Sequence, residues 1–155
     1  MALRTLRNLN RIKTMAFVPT SRSEVQTWLD RFLAINDTLD VSKLDTVYTK
    51  NATVKFGNRP IIQGLENIQN FFVPTWSREE LMHHDVDSFD MIDNRIYQEC
   101  RVTWKVKNDP EKETIVLSAI AVLHLATTGE EKGLVSHAAY YMDGAPLNAA
   151  LKRSP

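Results

Sequence analysis

Apolar residues recur with a helical period in the first half of the chain and with a period of two in the second half. Between residues 24 and 36 they form one stripe, which predicts a helix capped by Ser23. Asp40 is a suitable N-cap for a short second helix. A third helix is predicted to begin after Gly64 and to end at Pro74.

The second half of the chain predicts strands that are separated by turn residues. A short strand between the helices and four long strands after them cover residues 52–56, 82–92, 95–107, 114–127 and 134–143. The strand at 114–127 is apolar on both faces, which indicates a central strand or one covered by a partner subunit. Helices followed by a run of antiparallel strands favour the α+β class.

Charge is balanced overall but uneven along the chain. There are 19 basic and 19 acidic residues, yet residues 1–22 hold five bases and no acid, which leaves 14 basic against 19 acidic residues in the rest. An acidic body disfavours nucleic acid as a partner. We predict a basic N-terminal tail at 1–21, one folded domain at 22–150 and a C-terminal tail at 151–155.

The N-terminal tail leaves the localisation open. An acid-free segment with regularly spaced leucines is typical of a mitochondrial transit peptide, but a disordered tail or a start at Met15 also accounts for so short a segment. We predict a cytoplasmic protein, with mitochondrial import as the alternative if residues 1–20 are a transit peptide.

Several kinds of chemistry have no support in the sequence. No apolar run approaches the roughly 20 residues that cross a bilayer, and no nucleotide-binding or serine-nucleophile motif occurs. The single cysteine, Cys100, excludes an internal disulfide and a multi-cysteine zinc site. His83 and His84 are neighbours on a predicted strand and should point to opposite faces. We therefore expect no cofactor, no metal and no membrane span.

Two segments carry a family resemblance. The sequences KNATVKFGNRPIIQGLENIQNFF and HAAYYMDGAPL, with the acidic turn after the first helix, resemble the SnoaL-like branch of the nuclear transport factor 2-like (NTF2-like) superfamily over about residues 22–150. The resemblance implies a cone-shaped half-barrel, in which a curved antiparallel sheet packs against about three N-terminal helices around an apolar pocket. Members include isomerases, dehydratases, cyclases, epoxide hydrolases and non-catalytic binding proteins, so the fold leaves the function open.

Catalytic positions of three member enzymes hold other residues in this chain. The resemblance places the general base of ketosteroid isomerase at Phe56, the aspartate of SnoaL-type cyclases at Ala139 and an aspartate of limonene epoxide hydrolase at Thr103. None of these side chains can replace a carboxylate as a general base.

The closest site resemblance is to scytalone dehydratase, and it is partial. It implies functional roles for Asp37, in the turn after the first helix, and for His84, on the first long strand. Its second histidine falls near Trp104 and its pocket asparagine near Val122. A carboxylate can hold an imidazole in one tautomer and keep it basic, as acid/base catalysis requires. The alternative is that Asp37 is only a turn residue and His84 a strand histidine with satisfied hydrogen bonds.

The remaining candidate residues are two histidines and a set of pocket residues. His124 is either a second pocket histidine or a strand histidine with one fixed hydrogen bond, and His137 marks either the pocket floor or a subunit contact. The candidate substrate-binding residues are Phe32, Tyr48, Phe56, Phe72, Trp104, Val122 and Tyr141.

These observations predict a cofactor-independent acid/base enzyme, a dehydratase, isomerase or cyclase, that acts on an apolar small molecule of natural-product type. In this interpretation His84 is the acid/base, Asp37 orients it, and His124 or His137 polarises a substrate oxygen. The alternative is a non-catalytic small-molecule-binding module or a dimeric protein-partner module. We expect a homodimer through the outer sheet face in either case.

Overall fold

The computed structural model describes residues 17–155. The helices are α1 (Arg22–Asn36), a 3-10 helix (Val41–Thr46), α2 (Leu65–Trp76) and α3 (Ala145–Arg153). The strands are β1 (Tyr48–Phe56), β2 (Ile62–Gln63), β3 (Glu79–Ile92), β4 (Arg95–Val106), β5 (Ile115–Leu125) and β6 (Val135–Met142).

One curved, open sheet contains all six of these strands. Its order is β2-β1-β6-β5-β4-β3, and neighbouring strands are antiparallel except for the parallel pair β1 and β6. Helices cover its inner face, as the alternation of buried and exposed residues along β4 requires. The predicted fold class, a half-barrel of α+β type, is confirmed.

Two helix ends differ from the prediction. Ser21, not Ser23, caps α1, because its hydroxyl accepts a hydrogen bond from the Glu24 amide at 3.3 Å and the Glu24 carboxylate in turn accepts one from the Thr20 amide at 2.7 Å. Pro74 lies inside α2 rather than ending it. The last turn persists because it buries Trp76, a wall residue of the interior cavity described below.

Residues near both ends of the chain pack against the folded domain, although the sequence predicted tails there. Residues 1–16 lie outside the described residues, so most of the predicted tail, and the transit-peptide hypothesis with it, stays a prediction. Phe17 and Val18, however, pack against the core. The predicted C-terminal tail is wrong, because α3 extends to Arg153, whose guanidinium binds the buried Asp109 carboxylate with two 2.7 Å contacts. Ser154 is buried as well.

The two faces of β5 have different environments. Residues of odd number, such as Leu117 and Leu123, are buried in the core under the helices. Residues of even number point to the outer face, where Val116 and Ile120 remain 55% and 45% exposed. The sheet therefore has a second apolar surface on the side away from the helices. No helix within residues 17–155 is long and apolar enough to cross a membrane.

Candidate active site

A cavity of about 290 Å³ lies between the inner face of the sheet and the helices α1, α2 and α3. Its walls are mainly apolar because the inward positions of the strands and the buried stripes of the helices meet there. Phe56 stacks on Phe71 and Tyr140 at ring-centroid distances of 5.4 and 5.0 Å. Four predicted substrate-binding residues line the cavity: Phe32, Phe56, Phe72 and Trp104.

Asp37 and His84 meet at the edge of this cavity. Asp37 follows the last residue of α1, and its backbone N–H donates to the Leu33 carbonyl at 2.8 Å, which holds the carboxylate beside β3. Asp37 Oδ1 accepts a hydrogen bond from His84 Nδ1 at 2.5 Å, and Oδ2 accepts one from the His84 backbone N–H at 3.2 Å.

The contact fixes the state of the imidazole ring. Both side chains are mostly buried, with 20% of Asp37 and 15% of His84 exposed. A carboxylate at Nδ1 favours the tautomer with the proton on that nitrogen, so that in the neutral ring Nε2 of His84 carries the lone pair and can accept a proton. His84 lines the cavity. The pair can therefore act as a general base with an orienting carboxylate.

His83, next to the pair, has a different environment. Its side chain is 58% exposed, and its Nδ1 lies 3.5 Å from Asp37 Oδ2 while its Nε2 lies 3.6 Å from Asp85. It is absent from the cavity wall. Within residues 17–155 no group of three or more His, Cys, Asp and Glu side chains is placed to hold a metal ion.

Two buried polar residues of the cavity were missed by the sequence analysis. Gln98 is 1% exposed, and within the described residues its Nε2 and Oε1 have no partner at hydrogen-bond geometry, apart from a weak interaction with the Cys100 thiol. Glu79 is 2% exposed, its Oε2 is likewise unpaired, and burial raises the pKa of its carboxyl group to about 7. The alternation of β4 was a sufficient signal for Gln98, a polar residue at an inward position. Glu79 gave no signal, because the predicted strand began at residue 82.

Solved structures share this architecture, although no protein-family model and no curated protein matches the chain. A putative SnoaL-like polyketide cyclase from Jannaschia sp. CCS1 has a TM-score of 0.69 at 13% identity, over 88% of this chain and 99% of that chain. The fold is NTF2-like. TsrD from Streptomyces laurentii (TM-score 0.64, 16% identity) matches over 86% of this chain and 98% of its own. An LEH-like epoxide hydrolase from M. tuberculosis (TM-score 0.61, 11% identity) matches over 82% of this chain and 88% of its own.

At these identities the comparisons show the NTF2-like fold alone, and they confirm the resemblance found in the sequence at that level. The inward positions of β6 in this fold are Ala138, Tyr140 and Met142. Ala139 pairs with Val122 on the outer face. The cavity therefore receives no carboxylate from the last strand.

The structure places His124 and His137 outside the NTF2-like cavity. They are register partners on β5 and β6, and their rings meet edge to face at 5.1 Å on the outer face of the sheet. His137 Nδ1 lies 2.7 Å from the Thr53 hydroxyl. Burial is the main cause that lowers the pKa of both histidines, and the positive charge of nearby basic groups is the second cause. The prediction that His124 or His137 acts in the pocket is wrong, because strand alternation directs both side chains away from the helices.

Three predicted substrate-binding residues are also corrected. Val122 and Tyr141 share the outer face with the two histidines. Tyr48 is buried behind the cavity wall, where its hydroxyl hydrogen-bonds the Tyr140 hydroxyl. That contact gives each phenol a hydrogen-bond partner, and burial is the main cause that raises the pKa of each.

Proposed function

We propose that the protein is a cofactor-independent acid/base enzyme, a dehydratase, isomerase or cyclase, that acts on an apolar small molecule of natural-product type. The observation that carries this proposal is the hydrogen bond between Asp37 and His84 at the edge of an apolar cavity. The NTF2-like fold is consistent with such an activity but does not assign one.

The reaction needs one base and one route for returning the proton. His84 Nε2 takes a proton from a carbon or hydroxyl of the substrate, and the Asp37 carboxylate stabilises the imidazolium that forms. In a dehydration, the electron pair of the broken C–H bond forms a double bond, the C–O bond breaks, and the proton held by His84 leaves with hydroxide as water. In an isomerisation or cyclisation, the proton returns to another atom of the substrate.

The buried carboxyl group of Glu79 supplies a complementary acid. Because its pKa is raised to about 7, a large fraction of it remains neutral near neutral pH and can donate a hydrogen bond to a substrate oxygen. Glu79 thereby takes the polarising role that the sequence analysis assigned to His124 or His137. The surrounding aromatic walls exclude water and limit the substrate to few conformations.

The test begins with the compound that the protein retains. Native mass spectrometry of protein from its source, followed by extraction, identifies a bound small molecule whose conversion can then be assayed. We expect His84→Ala to lower kcat at least about 100-fold while the fold is kept, the usual effect of a lost acid/base. His124→Ala is the matched control, since that histidine lies on the outer face of the sheet, away from Asp37 and His84, and it should change kcat less than about threefold. Equal turnover in wild type and His84→Ala would exclude this mechanism.

A non-catalytic ligand-binding module is the second candidate. Phe56 favours it, because the position that the family resemblance gives to a general base holds an aromatic ring stacked into the cavity wall. Under this alternative the retained compound binds reversibly to wild type and to His84→Ala, and neither protein converts it.

We also propose a homodimer formed through the outer face of the sheet. Val116, Ile120 and Tyr141 are 55%, 45% and 45% exposed on that face; Ile120 and Tyr141 are register partners, and Val116 lies two same-face positions from Ile120 along β5. Several large apolar side chains on one exposed surface favour burial against a second subunit. The dimer is independent of the catalytic proposal.

A further inference from the structure

The Gln98 amide is buried in the cavity without a strong hydrogen-bond partner among residues 17–155. It lies on the inner face of β4, between Ile96 and Cys100 in the alternation, and it is 1% exposed. Within residues 17–155 neither of its polar side-chain atoms has a partner at hydrogen-bond geometry, apart from a weak interaction with the Cys100 thiol that partly opposes the raised pKa of that thiol. A buried amide in this state lowers the stability of the fold unless some other molecule pairs with it. Because Gln98 lines the cavity, an occupant of that cavity is in position to do so.

The chemistry of the amide defines its preferred partner. Nε2 offers two N–H donors and Oε1 offers two acceptor lone pairs. A hydroxyl group satisfies both atoms, since it accepts from Nε2 and donates to Oε1, whereas a ketone only accepts. A carboxylate also only accepts, and burying its charge between apolar walls is costly. A neutral ligand with a hydroxyl group is therefore the best match.

The cavity limits the size and orientation of that ligand. An apolar cavity of about 150 Å³ binds benzene, so one of about 290 Å³ accommodates a molecule of about two rings. His84 pairs with Val102, and Gln98 lies four residues from Val102 on the same face of β4, which is about 13 Å along the strand. Both side chains line the same cavity from separate positions along the sheet, so different parts of one elongated occupant can face them.

We propose that Gln98 is a specificity-determining residue that binds a hydroxyl group of a neutral, apolar substrate of about two rings, while another part of that substrate faces His84. This inference rests on the proposed function, because it takes the cavity as the substrate site. It adds the substrate class, which the Asp37–His84 pair alone does not define.

Three small probes test the inference by isothermal titration calorimetry: naphthalene, 2-naphthol and 2-naphthoate. We expect wild type to bind 2-naphthol about tenfold more tightly than naphthalene, the gain from one or two net hydrogen bonds, and to bind 2-naphthoate most weakly. In Gln98→Met, which keeps the length of the side chain, the ratio of 2-naphthol to naphthalene affinity should fall to about one with naphthalene binding unchanged. Gln98→Asn keeps the amide and should retain the preference.

The melting temperature separates a ligand-binding role from a structural one. Removing an unpaired buried amide should raise the Tm of ligand-free Gln98→Met by a few degrees, whereas loss of a structural hydrogen bond would lower it. A lower Tm, an unchanged affinity ratio in Gln98→Met, or a wild type that binds none of the probes would overturn the inference.

The catalytic proposal can fail separately. His84→Ala should keep the affinity ratio of wild type while losing turnover. If His84→Ala kept its turnover and Gln98→Met lost the affinity ratio, the acid/base mechanism would be excluded and the role of Gln98 in binding would stand.

Discussion

Burial of Glu79 should make the stability of the protein fall as the pH rises. The pKa of its carboxyl group is about 7 in the folded protein against an ordinary value of 4.5, because burial disfavours the charged form. Because the folded-state pKa of Glu79 is above the unfolded one, the contribution of this group to the unfolding free energy is fully present below pH 4.5 and is lost as the pH rises through 7. At about 1.36 kcal/mol per pKa unit, the shift corresponds to about 3 kcal/mol.

The substitution Glu79→Gln isolates this contribution. Glutamine has nearly the same shape and does not titrate, so the unfolding free energy of wild type minus that of Glu79→Gln should decrease by about 3 kcal/mol between pH 4.5 and pH 8. Urea unfolding followed by circular dichroism at steps of about one pH unit measures both proteins.

Other titrating groups cancel in this difference. The lowered pKa of His124 and of His137 has the opposite effect in both proteins, because stability from a depressed histidine is lost as the pH falls through about 6.5. Both rings lie on the outer face of the sheet, away from the substitution, so their contributions should be additive with it. A difference that stayed constant to within about 0.5 kcal/mol would show that the Glu79 carboxylate is well solvated in the folded protein, and one that grew with pH would show that the fold stabilises the charged form; either result would refute the argument from burial.

Two further predictions concern the chain terminus and the outer face. Arg153→Met should lower the Tm at pH 7, since it removes the partner of the buried Asp109 carboxylate, whose pKa the guanidinium holds below its usual range. The stability that a carboxyl group with a lowered pKa contributes is lost as the pH falls. The difference in Tm between wild type and Arg153→Met, measured by calorimetry, should therefore shrink below about pH 4. A Tm difference independent of pH would contradict the ion-pair argument. Ile120→Glu should convert a wild-type dimer into a monomer in sedimentation velocity at micromolar concentration, and a wild type that is itself monomeric would refute the proposed interface.

The residue pattern by itself was enough to predict the order of the elements. Period-two alternation placed the buried face of β4 correctly, and Asp40 caps the 3-10 helix as expected, accepting a hydrogen bond from the Ser42 amide at 3.0 Å. Such local features depend on neighbouring residues, so they can be recognised without knowledge of the rest of the chain. The contact between Asp37 and His84 was inferred differently, from the family resemblance, because 47 positions separate the two residues.

Only the tertiary structure decided which face of each strand meets the helices. Alternation groups His124 with Val122 and Ile120, but both faces of β5 are apolar, so composition could not distinguish the inner face from the outer one. The helices that cover one side assign the histidines to the other. The C-terminal helix contributes to this assignment too, because Leu147 and Asn148 close part of the cavity.

The polar residues of the cavity show the same difference between what the residue pattern predicts and what tertiary packing decides. The sequence contains Gln98 at an inward position, yet whether a buried amide finds a partner depends on every group that packs around it. Glu79 becomes a buried acid only because β3 begins earlier than its pattern suggests and places the carboxyl group in the wall of the cavity. Periodicity determined which residues share a face. The packing of three helices against a curved sheet decided which of those faces encloses a cavity, because that depends on contacts between residues far apart in the chain.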